Sequence, residues 1–386
     1  MNDSTNSRSS LVEVAGLFFK LGTIAFGGPA AHIAMMQDEV VVRRSWLTHQ
    51  QFLDLLGATN LIPGPNSTEL ALHIGHVRAG WRGLIVAGLC FILPATLIVT
   101  AFAWAYVRFG KLPISDGMLS TIKPVVIAII AQALWKLGKT ALKSKWLWML
   151  GISSLVACAI GVNELIVLFA AGAVSVLASK SCMRSLSAIL PLSSIRNVFT
   201  LGATAVGVAA PIGLTPIFWT FAKIGSVLFG SGYVLIAFLR ADFVVRLHWL
   251  TEKQLIDAVA VGQFTPGPVF TTATFIGYVL AGWSGSVVAT VGIFLPAFIL
   301  VAISGPLIPK LRSSPTTAAV LDGVNVASLA LMAFAAVQLT RFSLVDTFSI
   351  GLFLLSLFIL SAKRSNSAWL IFGAGLLGAA KIAMGW

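Results

Sequence analysis

Two Pro-Gly-Pro elements interrupt apolar segments of the chain, Pro63-Gly64-Pro65 in the first half and Pro266-Gly267-Pro268 in the second. Proline removes a backbone donor and glycine permits turns that other residues resist, so each element is expected to break a helix. A helix that restarts in apolar surroundings begins with unpaired N–H groups, and these groups together with the helix dipole favour an anion. The elements therefore predict an anion site, with a simple kink filled by neighbouring side chains as the alternative.

Polar side chains flank both elements. Small ones that could cap the new helix or contact a ligand follow each break, and they are Asn66, Thr68, Thr271 and Thr272. An amide precedes each element at the same repeat position, Asn60 in one half and Gln263 in the other. These amides are either core hydrogen-bonding groups or ligand contacts.

A second pair of breaks is predicted at Gly27-Gly28-Pro29 and Gly230-Ser231-Gly232, each preceded by a phenylalanine. Glycine at these positions permits either unwound backbone or close helix packing. With unwound backbone, four breaks, two from each half, would converge on one centre.

Basic residues near the breaks are candidates for holding an anion, because an ionisable group inside an apolar segment is functional by default. Lys123, directly before Pro124, and Arg240 are the best candidates. Their counterparts in the other half are Asn325 and Gln37, so the cations are not symmetric. Asn325 joins the candidate binding site as a polar group.

Two acid–arginine pairs recur in both halves, with each acid four residues before its arginine. They are Glu39 with Arg43, and Asp242 with Arg246. This spacing predicts i,i+4 ion pairs with a structural role at the membrane surface.

Glu69, His73 and His76 share one face of a putative helix at a spacing that could hold a metal. The second half has Thr272, Ile276 and Val279 instead, and the chain has no His-Glu-x-x-His motif. We therefore expect no metal and no cofactor. Glu69 remains a candidate proton carrier.

The halves are copies of one ancestral unit. Lys20–Gly28 reads KLGTIAFGG and Lys223–Ser231 reads KIGSVLFGS, and the same offset pairs Asp54 with Asp257 and one Pro-Gly-Pro element with the other. The sequence predicts a first membrane repeat at residues 1–180, a basic cytoplasmic connector at 181–197 and a second membrane repeat at 198–386.

Charge predicts how the repeats are oriented. In the first half, the six apolar segments lie near residues 11–36, 49–78, 81–107, 118–135, 146–161 and 165–179. A loop with Lys136, Lys139, Lys143 and Lys145 follows the fourth segment, so we expect it to be cytoplasmic. Its counterpart holds only Arg341 and Asp346, and this reversed bias predicts inverted-topology repeats related by an axis in the membrane plane.

Composition excludes a soluble protein. The chain is 58% hydrophobic and 10% charged, with a mean hydropathy of +0.94, whereas soluble domains carry about 25% charged residues. The net charge of +13 reports cytoplasmic loops and candidate anion ligands and not nucleic acid. The fold class is therefore an all-α integral membrane protein with broken helices.

Ordered motifs in both halves resemble the chromate ion transporter family in its long, two-domain form. The motifs are Phe26-Gly-Gly-Pro-Ala-Ala-His32, Asn60-Leu-Ile-Pro-Gly-Pro-Asn66, Phe229-Gly-Ser-Gly-Tyr233, Gly262-Gln-Phe-Thr-Pro-Gly-Pro268, Phe294-Leu-Pro-Ala297 and Asp322-Gly-Val-Asn325. The resemblance spans nearly the whole chain and adds His32 to the candidate site. Many members carry glutamine in the region where this chain has Asn60.

The resemblance implies a multi-pass protein of the bacterial inner membrane that moves chromate, generally outward, and so protects the cell. Sulfate, which is similar in shape and charge, is the alternative substrate. An anion channel and a membrane-embedded enzyme are the competing classes. The expected partners are the oxyanion and the lipid bilayer, with protons or a counter-ion and a homodimer left open.

Overall fold

The computed structural model of the chain describes residues 3–26, 28–110, 113–178, 212–229, 232–304, 314–362 and 367–384. The predicted connector at 181–197 lies outside these ranges, as do three candidate site residues, Gly27, Gly230 and Ser231. The predicted domain boundaries therefore stay a prediction.

The described residues form helices and no strands. The first repeat contains α1 (Asp3–Ile24), α2 (Gly28–Gln37), α3 (His49–Thr59), α4 (Asn66–Phe109), α5 (Pro113–Ala141), α6 (Lys145–Ala159) and α7 (Glu164–Ala178). The second repeats them in order as α8 (Leu214–Val227), α9 (Leu235–Leu239), α10 (Glu252–Phe264), α11 (Thr272–Ser304), α12 (Pro315–Ser343), α13 (Thr347–Ala362) and α14 (Ser367–Ala383). A π-helical turn follows both α2 and α9, at Asp38–Arg43 and Arg240–Arg246.

Each Pro-Gly-Pro element forms the tip of a helical hairpin. In the first repeat, α3 leads to the tip and the first part of α4 leads back, so Arg78 lies 5.1 Å from the centroid of the Trp46 ring at the base. Thr48 and Gln51 form a capping box that starts α3, because each side chain accepts a hydrogen bond from the other residue's backbone N–H. Thr251 and Gln254 start α10 in the same way.

The long helices α4 and α11 each reverse direction shortly after the hairpin. The turn in α4 lies at Ala79 and Gly80, and Gly80 has a φ of +62°, which glycine adopts without strain. The two arms pack so closely that a Cβ on Gly75 would overlap the carbonyl of Gly83. The second repeat has the same turn at Ala281 and Gly282.

The packing of α4 against α11 establishes how the repeats are related. Thr100 of α4 hydrogen-bonds Ser286 of α11 at 2.9 Å, whereas the earlier Gly88 packs against the later Phe298. Residue numbers therefore rise along one helix as they fall along the other. Because α4 and α11 are repeat equivalents, their antiparallel packing places the two-fold axis across the helices, which confirms inverted repeats.

The two repeats are intertwined. Helix α5 packs against α13 and α14 of the second repeat, and α12 packs against α6 and α7 of the first. Thr121 of α5 donates a hydrogen bond to the carbonyl of Ala374 at 2.7 Å, and Gln132 donates to the carbonyl of Leu360. Neither repeat therefore completes its core without the other.

Four of the described helical stretches are long and apolar enough to cross a membrane, at residues 66–109, 117–141, 269–304 and 315–343. Shorter apolar helices accompany them, and large exposed side chains such as Leu97 and Phe358 are apolar, as contact with lipid requires. The predicted four-lysine loop is partly wrong, because Lys136 and Lys139 lie on the last turns of α5 and only three residues separate α5 from α6. Arg341 likewise lies on α12. Long basic side chains extend along a helix to the surface, so the charge does not require a loop.

Candidate functional site

The breaks of the two repeats meet at the centre of the molecule. The N–H of Gly64 donates to the carbonyl of Leu228 at 2.7 Å, and the N–H of the equivalent Gly267 donates to the carbonyl of Ala25 at 3.0 Å. Each Pro-Gly-Pro tip is thus bound to the end of the first helix of the other repeat. Both N–H groups therefore already donate to protein carbonyls and are not free to bind an anion.

The glycine breaks also face each other. A Cβ on Gly28, whose φ is +76°, would lie 3.3 Å from the hydroxyl oxygen of Tyr233, and one on Gly232 would lie 3.7 Å from Pro29. The structure therefore brings together all four regions that sequence reasoning selected, so far as their residues are described.

A cavity of about 680 Å³ lies between the repeats and reaches these breaks. Four of the candidate residues line it: Pro29, Asn60, Asn66 and Asn325. Gln132, Lys136 and Ser328 add polar groups from α5 and α12. Lys143 and Asp322 also line the cavity, pair at 3.0 Å and have side chains that are 63% and 38% exposed, so the cavity meets solvent between the end of α5 and the beginning of α12. We call this the lysine side of the molecule.

The two tips differ in exposure. Asn60 is exposed and Asn66 is half-buried, whereas their repeat equivalents Gln263 and Val269 are 5% and 6% exposed. Asn66 donates to the side-chain oxygen of Asn60 at 2.8 Å, which ties the amides across the first break. The cavity therefore reaches the tip of only one repeat.

The two candidate cations are both paired with carboxylates. Lys123 Nζ lies 3.5 Å from Oδ1 of Asp257, and Arg240 lies 2.7 Å from Glu252. Asp257 is fully buried and also accepts a hydrogen bond from the Tyr106 hydroxyl at 3.0 Å. Lys123 and Arg240 therefore carry compensated charges, and neither lines the cavity.

The remaining polar candidates are buried. Thr271 and Thr272 donate to the carbonyls of Pro268 and Val269, both at 2.8 Å, so each hydroxyl is satisfied by the backbone three residues before it and caps no N–H of the restarting helix. His32 shares a hydrogen bond of 3.0 Å with the carbonyl of Ala25 and holds the end of α1. Thr68 Oγ1 has no hydrogen-bond partner.

Glu69 is fully buried, and neither of its carboxylate oxygens has a hydrogen-bond partner. Its side chain fills the space beside Gly64, where an added Cβ would overlap Oε1. His73, one helical turn further, also has an unpartnered ring nitrogen. The described residues contain no group of three or more potential metal ligands.

Comparison with known proteins identifies the family. The family model described as Chromate transporter matches residues 12–176 and 215–379, one match in each repeat. The chromate transport protein of Cupriavidus metallidurans is 33% identical over 376 residues, covering 96% of this chain and 92% of the relative. The chain belongs to the chromate transporter family.

Two other relatives of this chromate transporter family member also match most of its length. A probable chromate transport protein of Synechococcus elongatus is 33% identical, with 89% of this chain and 88% of the relative covered. The chromate transport protein of Pseudomonas aeruginosa is 31% identical, with 94% and 90% covered. No solved structure matches the chain. Its relatives and apolar helices make this chromate transporter family member a multi-pass inner-membrane protein.

The repeated acid–arginine pairs of this chromate transporter family member lie on the π-helical turns. Arg43 lies 3.6 Å from Glu39 and Arg246 lies 2.8 Å from Asp242, each at i,i+4. Lys20 also binds Glu39, at 2.7 Å, and its hydrogen bond holds the pKa of that carboxyl below its ordinary value. Lys223 binds Asp242 in the second repeat.

Several polar groups that line the cavity of this chromate transporter family member are not identified by the sequence patterns. The charge pattern places Lys136 in a loop, and no motif points to Gln132 or Ser328, although all three residues line the cavity. A glutamine inside an apolar helix is a signal that could have identified Gln132. The partner of Lys123 could not be recognised, because Asp257 lies in the other repeat.

Proposed function

We propose that this protein carries chromate out of the bacterial cytoplasm by alternating access and so confers resistance to chromate. The observation that supports this is the cavity of about 680 Å³, which reaches the first Pro-Gly-Pro tip from the lysine side while the equivalent tip is buried. The positive-inside rule assigns the lysine side to the cytoplasm. A cavity open to one side is what a carrier needs to load its substrate.

The binding site in this proposal lies where the cavity reaches the breaks. A dianion leaving water needs several hydrogen-bond donors and partial neutralisation of its charge. The amides of Asn60, Asn66 and Asn325 supply donors, and Lys136 supplies a charge with no carboxylate partner among the described residues. The amides and hydroxyls suit a tetrahedral oxyanion, which makes sulfate the competing substrate.

The structure favours a carrier over a channel. A channel needs a continuous path between the two sides, whereas the second tip is closed by Gln263, Val269 and Thr271, all nearly fully buried. A membrane-embedded enzyme is disfavoured because the chain lacks the nucleophile and zinc motifs of membrane hydrolases.

Glu69 is the best candidate for coupling transport to protons. An unpaired carboxylate at a fully buried position in a membrane protein is expected to be neutral, because burying the charge alone is costly. A change of state that wets the first part of α4 would let this carboxyl release its proton. Glu69→Gln should then transport chromate without the proton gradient accelerating it.

Counterflow in proteoliposomes tests the proposed function. Vesicles loaded with unlabelled chromate should accumulate labelled chromate transiently, and excess sulfate should compete weakly. If sulfate shows counterflow and chromate does not, the substrate is sulfate and not chromate. Flux that rises linearly with concentration, without counterflow, would indicate a channel.

A further inference from the structure

The side opposite the lysine side is closed by a buried ion pair, Lys123–Asp257, whose repeat equivalent on the lysine side has an uncharged residue, Asn325, in place of the cation. Lys123 of α5 and Asp257 of α10 belong to different repeats, and their ion pair is almost completely shielded from solvent, with side chains 12% and 0% exposed. Tyr106 of α4 donates to the other oxygen of the same carboxylate. Three helices from both repeats are thus joined at one point.

The repeat equivalents of this cluster are not paired in the same way. Asn325 stands where Lys123 stands and lines the open cavity, while Asp54 stands where Asp257 stands and is half-buried. A second ion pair shows the same difference between the repeats, because Arg240 and Glu252 correspond to Gln37 and His49, which share a hydrogen bond of 3.3 Å instead of an acid–base pair. Both ion pairs thus lie on the closed side.

We propose that the Lys123–Asp257 ion pair, with Tyr106, is a one-sided gate that holds the molecule closed opposite the lysine side. The proposal rests on the alternating access proposed above. In inverted repeats, the state open to the opposite side is formed when the repeats exchange conformations, so the surroundings of Lys123 would then resemble those of Asn325. That exchange must separate the buried pair of Lys123 and Asp257, whereas at the equivalent position Asn325 carries no charge that could form such a pair.

The gate predicts which state each substitution favours. Lys123→Asn gives the closed side the residue types of the open side, and so should favour opening there. Asn325→Lys places a cation opposite Asp54 and should favour closure of the lysine side. A shift of a two-state equilibrium changes the population of the minor state by the same factor as its equilibrium constant.

Cysteine accessibility tests this in the full-length protein, with Cys90, Cys158 and Cys182 replaced by alanine. Val269→Cys reports on the closed tip, and the equivalent Asn66→Cys reports on the open one. A membrane-impermeant maleimide is applied to spheroplasts for the outer face and to inverted vesicles for the inner face. Size-exclusion profiles and labelling after denaturation control for folding and for cysteine content.

Lys123→Asn should raise labelling of Val269→Cys from outside by roughly tenfold. Exchanging the charges, by Lys123→Asp with Asp257→Lys, should return labelling towards the parent rate. Tyr106→Phe, which removes only the hydroxyl, should have a smaller effect. Unchanged labelling in a folded Lys123→Asn protein, or no recovery on charge exchange, would overturn the gate.

Asn325→Lys keeps the test decisive if Lys123→Asn does not fold. Asn325→Lys should slow the labelling of Asn66→Cys from inside, and the added change Asp54→Asn should remove this effect. If labelling is slowed equally in the variant that also carries Asp54→Asn, the gate is not ionic and the proposal is refuted. These measurements need no chromate. If the expected labelling is seen but the parent protein shows no chromate counterflow, only the proposed substrate is wrong. If the parent protein shows chromate counterflow but the expected labelling is not seen, only the proposed gate is wrong.

Discussion

The tip of the first repeat carries Asn60 and Asn66 at an open cavity, whereas the tip of the second carries Gln263 and Val269 in a closed core. Both tips are built from the same Pro-Gly-Pro element and the same reciprocal hydrogen bond to the other repeat. The backbone hydrogen bonds of the two tips are therefore symmetric, although one tip lines the cavity and the other is buried. The comparison teaches that two tips with the same backbone frame present different side chains, and that in this structure the tip with the two asparagines lines the cavity.

The shared frame gives the largest expected effect. Gly64 and Gly267 have φ values of +143° and +89°, which side-chain-bearing residues rarely adopt. We expect Gly64→Leu and Gly267→Leu each to abolish chromate counterflow and to lower the free energy of unfolding by ~3 kcal/mol or more. Gly351→Leu is the matched control, because nothing lies within 4 Å of a Cβ at that position.

The two glycines should differ in how they are rescued. A Cβ on Gly64 meets the flexible end of Glu69, whereas one on Gly267 lies 2.6 Å from the Cβ of Ala95. Glu69→Ala should therefore partly restore the thermal stability of Gly64→Ala, and Ala95→Gly that of Gly267→Ala. Equal rescue by the wrong partner would contradict the separate packing of the two tips.

The polar tip gives the next effect. Asn66→Val copies the second repeat and removes the hydrogen bond to Asn60, so chromate affinity should fall by about tenfold to a hundredfold. Val269→Leu, an apolar change at the equivalent buried position, is the control and should leave affinity within about threefold of the parent. Binding is measured by isothermal titration of detergent-purified protein. Equal losses in both variants would show that the tips do not differ in substrate contact.

A single charge in the cavity should have a smaller effect. Lys136→Gln removes a cation from the cavity lining, so chromate affinity should fall by about tenfold, and more at low salt. Lys139→Gln is a matched control on the same helix, because Lys139 lies over the ring of Trp135 at 4.9 Å and does not line the cavity. If both changes weaken binding equally, the lysines act only through the general positive field of the lysine side.

The sequence predicted the repeats from motifs that recur in order, and the broken helices from local residue types such as Pro63-Gly64-Pro65. It predicted the inversion from the different numbers of basic residues that follow equivalent apolar segments. It did not predict the partners of Lys123 and Arg240. An apolar segment shows that a cation is present, but only the crossing of α5 over α10 supplies Asp257. The sequence also did not predict that the N–H groups of Gly64 and Gly267 donate to Leu228 and Ala25. A Pro-Gly-Pro motif indicates that a helix breaks, but the carbonyl that accepts the N–H lies in the other repeat.

The surface clusters give the smallest expected effect. Lys20 holds the pKa of Glu39 below its ordinary value of 4.5, mainly through their hydrogen bond. A carboxyl whose pKa is lower in the folded state stabilises the fold above its unfolded pKa, and this stabilisation is lost as pH falls through the folded value.

Because Lys20 is 46% exposed, the Lys20–Glu39 pair should contribute no more than about 1 kcal/mol. Glu39→Gln should therefore melt a few degrees below the parent at pH 7, by roughly the shift that 1 kcal/mol produces, and the gap should narrow below pH 4.5. Gln50→Glu, on the exposed start of α3, is a control for added surface charge. A gap that stays constant down to pH 3 would mean that the Glu39 side chain acts through packing and not through its charge.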